Sequence, residues 1–273
     1  PMPTPIKTRI FTVANQKGGV GKTTTAVNIG AALAMGGLRV LVIDLDPQGN
    51  ACTALGIDRT NLEGMFEVLV NDAPLSKVVK KAAGFPHLEC APADMALAGA
   101  EVNMVSFVSR ESRLKFALEK FLQEREAAGQ RIDYVIIDCP PSLGLLTVNA
   151  LTAAEEVLVP IQCEYYSLEG LTLLLQTLQQ VQQMLNKAVR ISTIVLTMYD
   201  SRTRLANDVA NSVRQHFPKE LIDIPIPRAV RISEAPSFSQ TVMTYDASSP
   251  GAIAYMQIAR EIAQRGVSNI EVA

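Results

Sequence analysis

The chain has 273 residues, 48% hydrophobic and 19% charged, which is long and apolar enough to build a well-packed core and excludes general disorder. Its formal charge of −2 excludes a histone-like mode of nucleic-acid binding, so any anionic partner must be held by a local patch. Four cysteines, at 52, 90, 139 and 163, show no CxxC spacing, which argues against a disulfide framework or zinc ribbon and for a reducing compartment.

Apolar β-branched runs alternate with longer amphipathic stretches, the pattern of a mostly parallel sheet wrapped by helices on both faces. Strands are predicted at Arg9–Ala14, Arg39–Asp44, His87–Ala91, Tyr134–Asp138, Glu156–Ile161, Ile191–Met198 and Leu221–Ile224. Helices are predicted at Lys22–Met35 (stopped by Gly36-Gly37), Glu111–Ala128, Leu168–Asn186, and Pro250–Arg265 with Gly266 as its stop. The glutamine-rich Gly170–Asn186 stretch falls short of the ~18 apolar residues a membrane span requires. One α/β domain over 8–266 is expected, with residues 1–7 and 267–273 as tails. No charged and apolar leader is visible near Pro1, so a cytoplasmic protein is expected.

The most informative segment is the strand Arg9-Ile10-Phe11-Thr12-Val13 feeding Lys17-Gly18-Gly19-Val20-Gly21-Lys22-Thr23-Thr24, a glycine-rich turn that opens a helix. Glycines at 18, 19 and 21 let successive backbone N–H groups point inward, and the helix adds its positive N-terminal end, which together suit a triphosphate. Lys22 is placed to reach the β- and γ-phosphates and the Thr23 hydroxyl to ligate Mg²⁺. Gln16 stands where the common G-x-x-x-x-G-K-[ST] pattern has glycine, and a lysine follows it. The run resembles the deviant Walker A of the ParA/MinD family of P-loop ATPases. That resemblance implies that Lys17 crosses a dimer interface to the partner's nucleotide, making hydrolysis depend on dimerisation.

Two carboxylates follow the second strand in Val42-Ile43-Asp44-Leu45-Asp46-Pro47-Gln48-Gly49-Asn50. At spacing two, both face one side of an extended chain, and a carboxylate at the C-terminal end of a parallel strand can orient water or a Mg²⁺-bound water. The segment resembles the DxDPQGN switch of ParA/Soj proteins, which implies that Asp46 positions the attacking water; Asp44 is a secondary metal candidate, with a turn role as its alternative. Asp138 closes the Tyr134-Val135-Ile136-Ile137 strand in the form of a Walker B aspartate that reaches Mg²⁺ through water. The Cys139-Pro140-Pro141-Ser142 that follows resembles the family's second switch, with Cys139 as a packing or switch residue.

Further matches at Val159–Glu164, Thr197–Asp200 and Ile226–Ser237 extend the resemblance over nearly the whole chain, weakest between about 56 and 110. A ParA/Soj-type chromosome or plasmid partition ATPase is implied, with the adenine near Met198 and Pro227. In that branch an ATP-bound homodimer binds double-stranded DNA without sequence preference, associates with the nucleoid, and is released by a ParB-type partner. Arg202 and Arg231 match the DNA-contacting arginines, and Arg204 and Arg228 join them by proximity; solvated arginines at helix ends are the alternative. Two other outputs compete. A MinD-like membrane-cycling or cargo-positioning ATPase needs a basic amphipathic C-terminal helix, which Val267–Ala273 does not supply. An electron-transfer iron protein would have to use Cys90 and Cys139, whose surroundings lack a cluster-binding sequence.

Overall fold

The computed structural model describes residues 1–15, 20–163, 168–238 and 240–268. Its centre is an eight-stranded sheet: β1 (Arg9–Val13), β2 (Val40–Asp44), β3 (Lys80–Lys81), β4 (Leu88–Ala91), β5 (Tyr134–Asp138), β6 (Glu156–Gln162), β7 (Arg190–Thr197) and β8 (Leu221–Ile222). The strand order is β3-β4-β2-β5-β1-β6-β7-β8, and every pairing is parallel except the short β3–β4 edge.

Period-two alternation along the strands feeds two separate cores. In β2, Val40 and Val42 face one side while Leu41 and Ile43 face the other, all fully buried. The first side is covered by helices Val20–Met35 and Pro250–Ser268. The opposite side is covered near β2 and β5 by Met65–Asn71 and Arg113–Ala127, and near β6 and β7 by Leu168–Met184 and Arg204–His216. Helix Leu145–Ala153 joins these last two clusters, giving Leu146 and Ala150 to one and Leu151 to the other. The polar Thr12 of β1 is also buried on that side, because its hydroxyl donates to the Ala150 carbonyl at 2.9 Å.

The glutamine-rich helix divides as an amphipathic surface helix should: Leu171, Leu174, Leu178 and Val181 are buried, while Gln176, Gln179, Gln180 and Gln183 are exposed. Other boundaries differ from expectation for local reasons. Gly266 does not stop the last helix, which runs to Ser268. An added Cβ there would meet Arg9 Nη1 at 2.7 Å, and Arg9 donates to the Ile262 carbonyl of the same helix while pairing with the Glu156 carboxylate. The glycine therefore admits the arginine rather than ending the helix. The expected N-terminal tail is docked on the fold: Met2 is buried and its N–H donates to the Gly36 carbonyl at 3.0 Å, and the Pro5 and Ile6 carbonyls accept from Arg131, both at 2.6 Å. No helix among the described residues is long and apolar enough to cross a membrane.

Candidate functional site

Strand order places the site. β1 and β5 are neighbours whose onward connections leave in opposite directions, β1 to β2 on one side and β5 to β6 on the other, which opens a crevice beyond the strand C-termini, where ligands bind in open α/β sheets. Asp44 of β2 is in register with Asp138 of β5, and Asp138 with Val13 of β1. Helix Val20–Met35 starts over this crevice with no acidic residue in its own first turn, so its positive N-terminal end points at the crevice. Lys17, Gly18 and Gly19 lie outside the described residues. Gly21 is tightly enclosed, since a Cβ would meet Gln162 Nε2 at 2.9 Å and Thr197 Oγ1 at 3.4 Å. Thr24 is buried one turn into the helix, its carbonyl accepting from Asn28 Nδ2 at 2.8 Å.

Lys22 and Thr23 both turn onto Asp138. The Lys22 ammonium donates to Asp138 Oδ1 and forms a buried ion pair with it, and the Thr23 hydroxyl donates to Oδ2 at 2.8 Å. Burial opposes the Lys22 charge, but the Asp138 carboxylate outweighs it and holds the lysine pKa above its ordinary value. Full burial pushes the Asp138 carboxyl up, against the pull of Lys22 and Thr23. A hydroxyl and a carboxylate at hydrogen-bond distance are hard oxygen donors of the kind Mg²⁺ takes, and the described residues hold no cluster of three or more His, Cys, Asp or Glu that would cage a metal unaided. This donor set fits an octahedral cation completed by water and phosphate oxygens.

The two aspartates at the end of β2 make different contacts. The strand ends at Asp44, which is fully buried, and Asp46 sits in the following loop with only 8% of its surface exposed. Asp44 Oδ1 accepts from the Asp46 N–H at 3.0 Å, and Oδ2 accepts from the Cys52 N–H and thiol at 3.2 and 3.1 Å. Both its oxygens thus shape the loop and the short helix Asn50–Ala54. Asp46 Oδ1 accepts from the Gln48 N–H at 3.1 Å, an Asx-type turn.

Burial, and then the neighbouring Asp138 charge, push the Asp44 carboxyl up to about 7. The folded chain therefore keeps a proton that the unfolded chain releases near pH ~3.9. That contribution to stability is fully present below the unfolded value and is lost as pH rises through about 7. Without nucleotide or magnesium, the melting temperature of Asp44→Asn relative to wild type should be higher at pH 8 than at pH 5. A pH-independent difference between the two proteins would remove the titration from Asp44.

The late-strand residues lie on the same edge of the sheet. Met198 follows β7 with φ of 54°, and Tyr199 bridges to Pro227, bringing the two adenine candidates together. The bridge also joins the two arginine-bearing loops. Arg202 is 88% exposed and forked onto Asp200 through Nε and Nη2, both at 3.0 Å; this holds the Asp200 carboxyl down at about 2. Arg204 is 94% exposed, 3.8 Å from Asp208, and Arg228 is exposed. Arg231 has its own partners, 3.9 Å from Glu234, 3.7 Å from Asp246, and over the Tyr245 ring. Cys139 is fully buried, and burial pushes its thiol up to about 12, which disfavours the reactive thiolate.

A family model described as an AAA domain matches residues 8–191. The sporulation initiation inhibitor protein Soj of Bacillus subtilis (strain 168) is 49% identical over 259 residues, covering 94% of this chain and 99% of that one. The chromosome partitioning protein ParA of Caulobacter vibrioides (strain NA1000 / CB15N) is 49% identical over 258 residues, covering 94% of each. The chain belongs to the ParA/Soj family of partitioning ATPases. It is accordingly an ATPase with the P-loop α/β fold. Among solved structures, a Mycobacterium smegmatis protein named cobyrinic acid a,c-diamide synthase, with bound ADP and magnesium, superposes with a TM-score of 0.81. It is 40% identical, and the match covers 96% of both chains.

The ParA/Soj-type site also holds residues that the sequence did not single out. Gln162 and Thr197 wall Gly21 from β6 and β7, and Cys52 anchors Asp44. Arg59 fastens the loop after Asp46. Only the strand-end positions of Gln162 and Thr197 marked them in advance; Cys52 and Arg59 sit in the 50–64 stretch, which carries little periodic signal.

Proposed function

We propose that this partition-family ATPase is an ATP-gated dimerising switch for DNA segregation. Its ATP-bound dimer binds double-stranded DNA without sequence preference and leaves it after hydrolysis stimulated by a ParB-type partner. The observation that carries this reading is the convergence of Lys22, Thr23 and Asp138 at a helix N-terminus, on the same sheet edge as exposed arginine loops. In this reading the backbone of Gly18, Gly19, Val20, Gly21, Thr23 and Thr24 cradles the phosphates. Lys22 exchanges Asp138 for the β- and γ-phosphates, and Thr23 holds Mg²⁺ directly while Asp138 holds it through water. Bound magnesium supplies charge compensation for phosphoryl transfer. Lys17 does the same from the other subunit, and Asp46 orients the attacking water. Met198 and Pro227 flank the base.

Arg202, Arg204, Arg228 and Arg231 of both subunits then form one phosphate-binding surface, where DNA competes with Asp200 for Arg202. Such binding releases counterions, so affinity falls with salt in proportion to the phosphates contacted. The test is binding of nonspecific duplex at several salt concentrations, with no nucleotide, ADP, ATP or a non-hydrolysable ATP analogue, repeated for Arg202→Ala and Arg231→Ala. Binding should require the triphosphate, and each variant should weaken it for all sequences, lowering the salt slope by about one per arginine removed. No DNA binding with any nucleotide would sink the segregation output while leaving the ATPase standing.

A further inference from the structure

Arg59 makes an arrangement that a surface arginine has no need of. Its Nη1 donates to the Gln48 carbonyl at 2.6 Å and its Nη2 to the Pro47 carbonyl at 3.0 Å. The Ala93 carbonyl accepts from Nη2 at 3.0 Å and from Nε at 3.2 Å. One planar guanidinium thus ties the loop that follows Asp46 to the loop that follows β4, a task for which its fixed fork of donors is suited and a flexible ammonium is not. The β4 loop is itself anchored: the Ala93 N–H donates to Cys52 Sγ at 3.2 Å, and the Asp94 carboxylate accepts from the Gly64 and Phe66 N–H groups. The backbone has made room for the clamp. Gly49 has φ of +70°, and a Cβ there would lie 2.2 Å from Arg59 Cζ.

The clamped peptides lead straight to Asp46. The Gln48 N–H donates to the Asp46 carboxylate, and the Gly49 N–H donates to the Asp46 carbonyl at 2.9 Å. Movement of the Pro47–Gln48 peptides therefore re-aims the Asp46 carboxylate, while the phosphate-facing Lys22 and Thr23 rest on Asp138 and are not held by this clamp.

We propose that Arg59 is a positioning residue for the hydrolytic step: it fixes the Asp46–Gly49 loop on the β4 loop so that the Asp46 carboxylate is aimed before ATP arrives. This rests on the role given to Asp46 under the proposed function. The clamp acts on the aim of the water-positioning group, so it governs turnover rather than nucleotide affinity.

The test compares wild type, Arg59→Ala and Arg59→Lys in ATP turnover and in amide hydrogen exchange of the nucleotide-free protein across residues 46–52. Arg59→Ala should lower kcat about tenfold or more, as expected when a reacting group is misplaced by a fraction of an ångström. Its KM for ATP should stay within about twofold, the signature of an interaction that acts on the transition state alone. Exchange at Gln48 and Gly49 should accelerate, and Arg59→Lys should recover part of the turnover. If Arg59→Ala melts below the assay temperature, Arg59→Lys carries the comparison, with an intermediate kcat expected and a wild-type kcat overturning the proposal. Unchanged kcat in Arg59→Ala, or unchanged exchange, would also overturn it, as would a rise in KM with kcat intact.

A double-mutant cycle with Gly49→Ala separates the clamp from backbone strain, because the cost of alanine at a positive φ is common to both backgrounds. Gly49→Ala should cost more turnover with Arg59 present than with alanine at 59; equal costs would count against the clamp. If wild-type protein turned over no ATP, the hydrolytic reading would fall and the proposal with it. If Asp46→Ala kept full turnover while Arg59→Ala lost it, the water-positioning assignment would fail and Arg59 would not act through Asp46.

Discussion

Lys22→Ala should lose ATP affinity by about a hundredfold or more, as expected for a charge-assisted contact removed from a desolvated phosphate site. It should also be the least stable variant of this site. Lys22 is 4% exposed and Asp138 fully buried, so alanine leaves a buried carboxylate without its cationic partner, a change that typically costs about 3–5 kcal/mol. The protein can escape part of that penalty by protonating Asp138, whose carboxyl burial already pushes up. With the lysine gone, the folded-state pKa rises further above the unfolded one. Stability then falls as pH rises through the interval between them, and the deficit against wild type should be larger at pH 8 than at pH 5.5. Nucleotide titration and thermal melts at the two pH values measure both effects. Wild-type ATP affinity would take Lys22 off the phosphates; equal melting temperatures at pH 8 would deny the ion pair any structural weight.

What could be read in advance follows the physics of burial. Central strands covered on both faces are continuous apolar runs with little tolerance for other residues, and β5 was predicted to the residue, with β1, β2 and β6 within one residue at each end. The edge strand β3 was invisible, because Lys80 and Lys81 are exposed and pair antiparallel over two residues only. Helices Met65–Asn71, Leu75–Val78 and Ala100–Met104 were equally hidden, being too short to complete a periodic pattern. Gly266 misled for a related reason: its local chemistry is that of a helix stop, and only the distant Arg9 explains it.

The site divides in the same way. Asp44 and Asp138 are strand ends fixed by register, so a sequence that gives the strands gives their placement. The engagement of both Asp44 oxygens with Asp46 and Cys52, and the hold of Arg59 on two loops, depend on side chains reaching across loop structure that has no period. A glycine after Asp-Pro-Gln marks a turn, but nothing in the sequence says that a guanidinium fills the space its side chain would take.

Asp46→Ala should separate hydrolysis from binding most sharply, with ATP and DNA retained, nucleotide-dependent dimers accumulating, and turnover down about a hundredfold or more, the usual scale for a group that activates water. Structure and chemistry make unequal demands on this residue. Asp46 is buried, yet its carboxylate accepts the Gln48 N–H in a turn that Arg59 also holds through the carbonyls, so losing that one bond costs only about 1 kcal/mol. Lys22 and Thr23 keep their contacts with Asp138, and the phosphate-binding groups stay in place. Asp46→Asn sharpens the comparison, because the amide oxygen can still accept from Gln48 while the negative charge is gone. If Asn behaves like Ala, the charge matters to catalysis; if Asn behaves like wild type, the turn is all that Asp46 provides. Single-turnover hydrolysis, with light scattering for the dimer, reads both. Parental turnover in Asp46→Ala would remove its part in hydrolysis, and loss of dimers together with turnover would place Asp46 in nucleotide binding rather than in the chemical step.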